Sequence, residues 1–113
     1  MANNKIRHMC RQGDVLLVAR DPIPATARQV DREGRRIVLM HGEVTGHAHA
    51  VLDPEAAYLE SGTGDAVERW LRAGPATVLV HEEHGAHDLV PGESYEQWYQ
   101  YEYAPEALQL VAD

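Results

Sequence analysis

Arg36-Ile37-Val38-Leu39-Met40-His41-Gly42-Glu43-Val44-Thr45-Gly46-His47-Ala48-His49-Ala50-Val51-Leu52 reads as a β-hairpin, and the fold class follows from it. Residues 36–41 carry β-branched and long apolar side chains that suit a pleated, half-buried surface. Gly42 to Gly46 is a connection of ordinary hairpin length. His47 to Leu52 is the return strand, stopped by Asp53-Pro54 because proline brings no N–H to a ladder. Pairing around that loop sets His41 opposite His47, and Leu39 opposite His49.

Similar signals recur on both sides of the hairpin. Gly13-Asp14 opens the apolar run Val15-Leu16-Leu17-Val18-Ala19, a strand that Asp21-Pro22-Ile23-Pro24 ends. Asp31-Arg32-Glu33-Gly34 is a turn. Residues 1–11 are polar, basic and without period, and read as a loose N-terminal arm. Downstream, 56–60 is a short strand, 76–81 another, and 94–103 the longest. The last would put Tyr95, Tyr99, Tyr101 and Tyr103 on one face and Trp98 on the other. Asp65-Ala66-Val67-Glu68 has the form of a capping box, and Val67, Trp70 and Leu71 would share a helical face. That predicts a helix over 66–73, closed by Gly74-Pro75. Ala104-Pro105-Glu106-Ala107-Leu108 suits the start of a short C-terminal helix. Without internal repeat or linker, residues 1–113 form a single domain: an all-β, mainly antiparallel small barrel or sandwich, with one inserted helix and one terminal helix.

Composition narrows the function classes. Residues 1–40 hold eight Lys/Arg against four Asp/Glu, residues 41–72 two against six, and residues 73–113 none against eight. The balances of +4, −4 and −8 sum to the net charge of −8. So acidic a chain lacks the clustered cations that phosphate contacts need, which argues against nucleic acid as a partner. No apolar run is long enough to cross a bilayer, so no membrane partner is expected either. The single cysteine, Cys10, cannot staple the fold and is read as an incidental thiol; it points to a reducing, cytoplasmic setting.

Histidine is the residue in excess, with seven in 113 positions. Strand alternation points His47 and His49 the same way, with Cα atoms about 6.5–7 Å apart. Two imidazoles at that spacing converge on one ion, each at about 2.0–2.1 Å for zinc. Further ligands come from His81-Glu82-Glu83-His84. Here alternation leaves two choices open, His81 with Glu83 or Glu82 with His84. The order differs from the His-Glu-x-x-His helix of zinc proteases, whose histidines stand four apart. The candidate metal ligands are therefore His47, His49, His81, His84 and Glu83, for a divalent transition ion (Zn, Fe, Mn, Ni or Cu). No residue is singled out as catalytic and no organic cofactor is indicated. An open position on the ion would activate water or dioxygen on a small molecule. The competing reading is a binding or scaffold module, in which the histidines brace the hairpin and the aromatic strand mediates formation of a homo-oligomer.

Gly42-x₄-His47-x-His49, followed by Glu55 and Gly62, resembles the first motif of the cupins. That resemblance implies a small β-barrel in which His47, His49 and Glu55 hold a metal. Val90-Pro91-Gly92 is similar to the turn of the second cupin motif, but no histidine follows it here. Gln12-Gly13-Asp14-Val15-Leu16-Leu17, Gly42 to His49, His81 to His84 and Val111-Ala112-Asp113 more closely resemble small uncharacterised bacterial and phage-encoded proteins, which imply no activity.

Overall fold

The computed structural model describes residues 5–42 and 46–99. Within them the chain forms ten strands: β1 His8–Gln12, β2 Val15–Ala19, β3 Arg28–Gln29, β4 Ile37–His41, β5 Ala48–Val51, β6 Ala57–Ser61, β7 Glu68–Arg72, β8 Val78–Val80, β9 His87–Asp88 and β10 Ser94–Tyr99. All pairings are antiparallel. One sheet has the order β1-β2-β10-β7-β6-β3 and the other β4-β5-β8-β9. Neither closes on itself, so the arrangement is sandwich-like and the barrel alternative falls away.

One core joins the two sheets. Val15, Leu17, Tyr58, Leu71 and Tyr95 from the first meet Ile37, Leu39, Val51 and Leu79 from the second, all buried. Burial of such side chains contributes about 1.5–3 kcal/mol each. Polar side chains also cross the gap. Tyr58 Oη donates to Gln97 Oε1 at 2.6 Å, and Gln97 Nε2 donates to the Leu39 carbonyl at 2.9 Å. Strand β2 is buried on both faces. Leu16 and Val18 turn away from the core and pack with Ile6, Met9 and Trp98. This explains why 15–19 reads as an unbroken apolar run.

Several expectations change. The loose arm expected over 1–11 is a strand from His8, paired along its length with β2. The helix expected over 66–73 is absent: a single 3₁₀ turn, Gly64–Ala66, leads into β7. Asp65 makes no cap, and Val67 is already extended. Strand β7 is laddered on both edges, to β6 and β10, and this pairing outweighs a weak local helix preference. Trp70 and Leu71 are both buried because neighbouring strand residues point to opposite faces, and both faces are covered here. Tyr95 faces the core and Trp98 the opposite face, as alternation requires. The helix expected at 104–108 and the tyrosines beyond β10 lie outside the described residues. Among the described residues no helix is long and apolar enough to cross a membrane.

The central hairpin forms, with one change that matters for the site. Ile37 pairs with Val51 and Val38 with Ala50, in the expected register. A bulge then shifts the pairing, so that Met40 lies opposite His49 and His41 opposite Ala48. Residues directly opposite share a face, so His41 leaves the side occupied by His49. It is exposed, with Nε2 3.0 Å from Glu33 Oε2.

Candidate metal centre

His47 lies just before β5 and His49 within it, and His81 and His84 are carried by the bend that follows β8, the neighbouring strand. Strand periodicity ends at Val80, so His81 and His84 need not alternate and both turn to the same side. Together with Glu83, Gly13, Asp14 and Gly42 the four histidines line a cleft of ≈ 290 Å³. All five residues named as ligands from the sequence meet there. His81 is the hub, with ring centroids 4.4 Å from His49, 4.6 Å from His84 and 5.7 Å from His47. His49 and His84 are nearly parallel, 5.8 Å apart.

The hydrogen bonds decide which nitrogens are free. His49 is only 5% exposed. Its Nδ1 lies 2.8 Å from Gln12 Oε1. Gln12 Nε2 donates to the carbonyls of Leu79 and Gly85 at 3.1 and 2.9 Å, which fixes the amide so that its oxygen faces His49. His49 therefore donates from Nδ1 and keeps its lone pair on Nε2. Burial, with the imidazoles of His81 and His84 alongside, pushes its pKa down to about 4, so the ring is neutral at pH 7.

His47 Nδ1 lies 3.1 Å from Glu83 Oε2, an arrangement that leaves its Nε2 free as well. Glu83 thus stands behind a histidine, where the sequence suggested a ligand. His81 differs, because the Glu83 amide donates to its Nδ1 at 3.0 Å. Coordination through that nitrogen requires releasing the amide. Glu82 accepts the Ala48 N–H at 2.9 Å, and that bond is the leading cause holding its carboxyl below the usual range. The tightest trio of donor atoms is His47, His81 and Glu82, all within 4.8 Å of one another. Two of the three are already engaged by backbone amides, whereas the Nε2 atoms of His47 and His49 are not. The histidine pair on β5 is therefore the firmer half of the site.

Gly13 sits in the two-residue loop between β1 and β2 with φ of 56°. A Cβ there would stand 2.8 Å from His84 Nε2 and 3.1 Å from His49 Cε1. Glycine both makes the turn and leaves room for the rings. In sequence Gly13 was legible only as the opening of the strand at 15–19, and Gln12 only as part of the motif shared with small uncharacterised proteins. Glu55, the carboxylate implied by the cupin resemblance, is exposed beyond the far end of β5 with its N–H on Asp53 Oδ1, and it does not line the cleft. Cys10 packs against the core, and burial pushes its thiol up to about 11. That suits an unreactive side chain.

Fold and cleft together define a small antiparallel β domain carrying four convergent histidines. The chain belongs to a family described as a domain of unknown function, DUF8820, whose model matches residues 11–100. No curated protein and no solved structure matches it.

Proposed function

We propose that the cleft binds one divalent transition-metal ion through nitrogens drawn from His47, His49, His81 and His84. On this reading Glu82 lies beside the ion with His47 and His81, and Glu83 orients His47. The convergence of four imidazoles carries the reading. Rings bound to one ion at about 2.0–2.1 Å have centroids about 3.2 Å from it, hence about 4.5–5.3 Å apart at ligand angles of roughly 90–110°. The observed separations are 4.4, 4.6 and 5.7 Å from His81 to His49, His84 and His47, and 5.8 Å between His49 and His84. Nitrogen donors select Zn, Fe, Ni or Cu over Mg and Ca. A fixed acceptor behind one ring and a carboxylate behind another are the supports that metal-bound imidazoles ordinarily have.

Three protein donors would leave a position for a small molecule or water, whose polarisation is the chemistry such an ion supplies. Asp14, Glu82 and Glu83 surround that position and no Lys or Arg lines it, so a neutral or cationic molecule suits it better than an anion.

The test is elemental analysis of protein purified without a histidine tag, followed by calorimetric titration with Zn²⁺, Ni²⁺ and Mn²⁺. About one equivalent is expected, lost in His47→Ala and His49→Ala. Saturation at about 100 times Kd should add about 2.7 kcal/mol of stability. Less than about a tenth of an equivalent, with no thermal shift on adding metal, sinks the reading. That result would favour histidines that only brace the hairpin, as the Glu82 bond to Ala48 N does on its own.

A further inference from the structure

Gln12 is 1% exposed, ends β1 of the six-stranded sheet, and points into the core opposite Val15. All of its donors and one acceptor position are spent on groups of the other sheet. Nε2 reaches the Leu79 carbonyl, before the His81–His84 bend, and the Gly85 carbonyl, after it. Oε1 meets Nδ1 of His49 on β5. One amide thus grips both ends of the bend and one ring of the histidine pair. Rotating the amide would set Nε2 against His49 and Oε1 against two carbonyls, so the assignment is forced by the partners.

We propose that Gln12 is the positioning residue of this site, locking His49 as the Nδ1–H tautomer and holding the bend that carries His81 and His84 against it. Its functional meaning rests on the metal-binding reading; the tautomer lock does not. Glu82 and Glu83 tie the bend to Ala48 and His47 directly, whereas Gln12 reaches both halves from the opposite sheet. The role differs from that of a core glutamine filling space, because it dictates which nitrogen of His49 is available. An apolar side chain of the same length would fill the space and leave His49 free to place its proton on Nε2, closing the lone pair to an ion.

The experiment uses the metal-free full-length chain with ¹⁵N-labelled histidine and long-range ¹H–¹⁵N correlation spectra. His49 is expected as a single Nδ1–H tautomer. An Nε2–H form, or a fast average of the two, overturns the proposal without recourse to any variant. In Gln12→Met the His49 pattern should move toward Nε2–H, and Zn²⁺ should bind at least about tenfold more weakly. In Gln12→Glu the acceptor is kept, so the tautomer should persist while the carbonyl contacts are lost. Equal Zn²⁺ affinity in wild type and Gln12→Met overturns the positioning role. A locked Nδ1–H tautomer in a wild-type chain that takes up no Zn²⁺ supports the lock and removes the metal reading, so the two failures stay distinguishable.

Discussion

Gly13→Ala, set against Gly34→Ala, separates the needs of a turn from the needs of the site. Both glycines have left-handed φ, 56° and 65°. Adding a Cβ at such a φ costs about 1–2 kcal/mol in either place. At Gly34 a Cβ meets nothing within 4 Å, so Gly34→Ala should show the backbone cost alone. At Gly13 it meets His84 Nε2 at 2.8 Å and His49 Cε1 at 3.1 Å. The exposed tip of His84 swings aside at little cost, but His49 is tied to Gln12 and must be displaced by a few tenths of an ångström. We expect Gly13→Ala to lose about 2 kcal/mol and Gly34→Ala about 1 kcal/mol. At roughly 4 °C per kcal/mol, these are melting-point drops of about 8 and 4 °C. Zn²⁺ affinity should fall at least about tenfold in Gly13→Ala, because two of the rings move, and stay unchanged in Gly34→Ala. Calorimetric titration and thermal melts on the same samples provide both readings. If the two variants weaken together and bind Zn²⁺ alike, Gly13 is only a turn residue and the crowding argument is wrong.

Other consequences are simpler to state. His47→Ala should weaken Zn²⁺ binding at least about tenfold while His41→Ala leaves it unchanged, since His41 faces away and pairs with Glu33; equal losses would show the hairpin register to be wrong. Folded His49 titrates near 4, below the ordinary 6.5, so the unfolded chain binds the extra proton first. In metal-free protein its contribution is fully present above pH 6.5 and falls by up to about 3 kcal/mol as pH drops toward 4. Urea unfolding at stepped pH reads this, and His49→Gln should flatten that interval. Asp53 and Glu93, whose folded pKa values are depressed, lose their contribution only at lower pH. Tyr58→Phe leaves Gln97 Oε1 without the phenol donor in the core and should cost about 1–3 kcal/mol in urea unfolding; a neutral result would deny that bond its role.

Much of the fold could be read from local patterns. The central hairpin, the strand at 15–19 and the turn read at 31–34, which forms at Glu33–Arg36, each had a period or a breaker to mark them. Two of the errors in the described region share a cause. His8–Gln12 carries no apolar alternation, and Glu68–Arg72 carries a pattern that fits a helix equally well; pairing with neighbours distant in sequence makes both into strands. The site was legible as a set of residues because strand spacing gives His47 and His49 a shared face. Its internal division was not. Whether Glu83 serves as a ligand or stands behind His47, and whether Gln12 holds His49, depends on contacts between strands and bends that no local period encodes.

The bulge in β4 has a meaning beyond geometry. It makes strand pairing, rather than residue identity, the variable that selects which histidines take part. Continued without a bulge from the Ile37–Val51 and Val38–Ala50 pairs, the register would set His41 opposite His47, on the side that His47 and His49 share. Loss of the bulge would enlarge the donor set without creating a histidine. An insertion elsewhere in β4 would turn its inward residues to solvent. A site of this kind is remodelled by slippage as readily as by substitution.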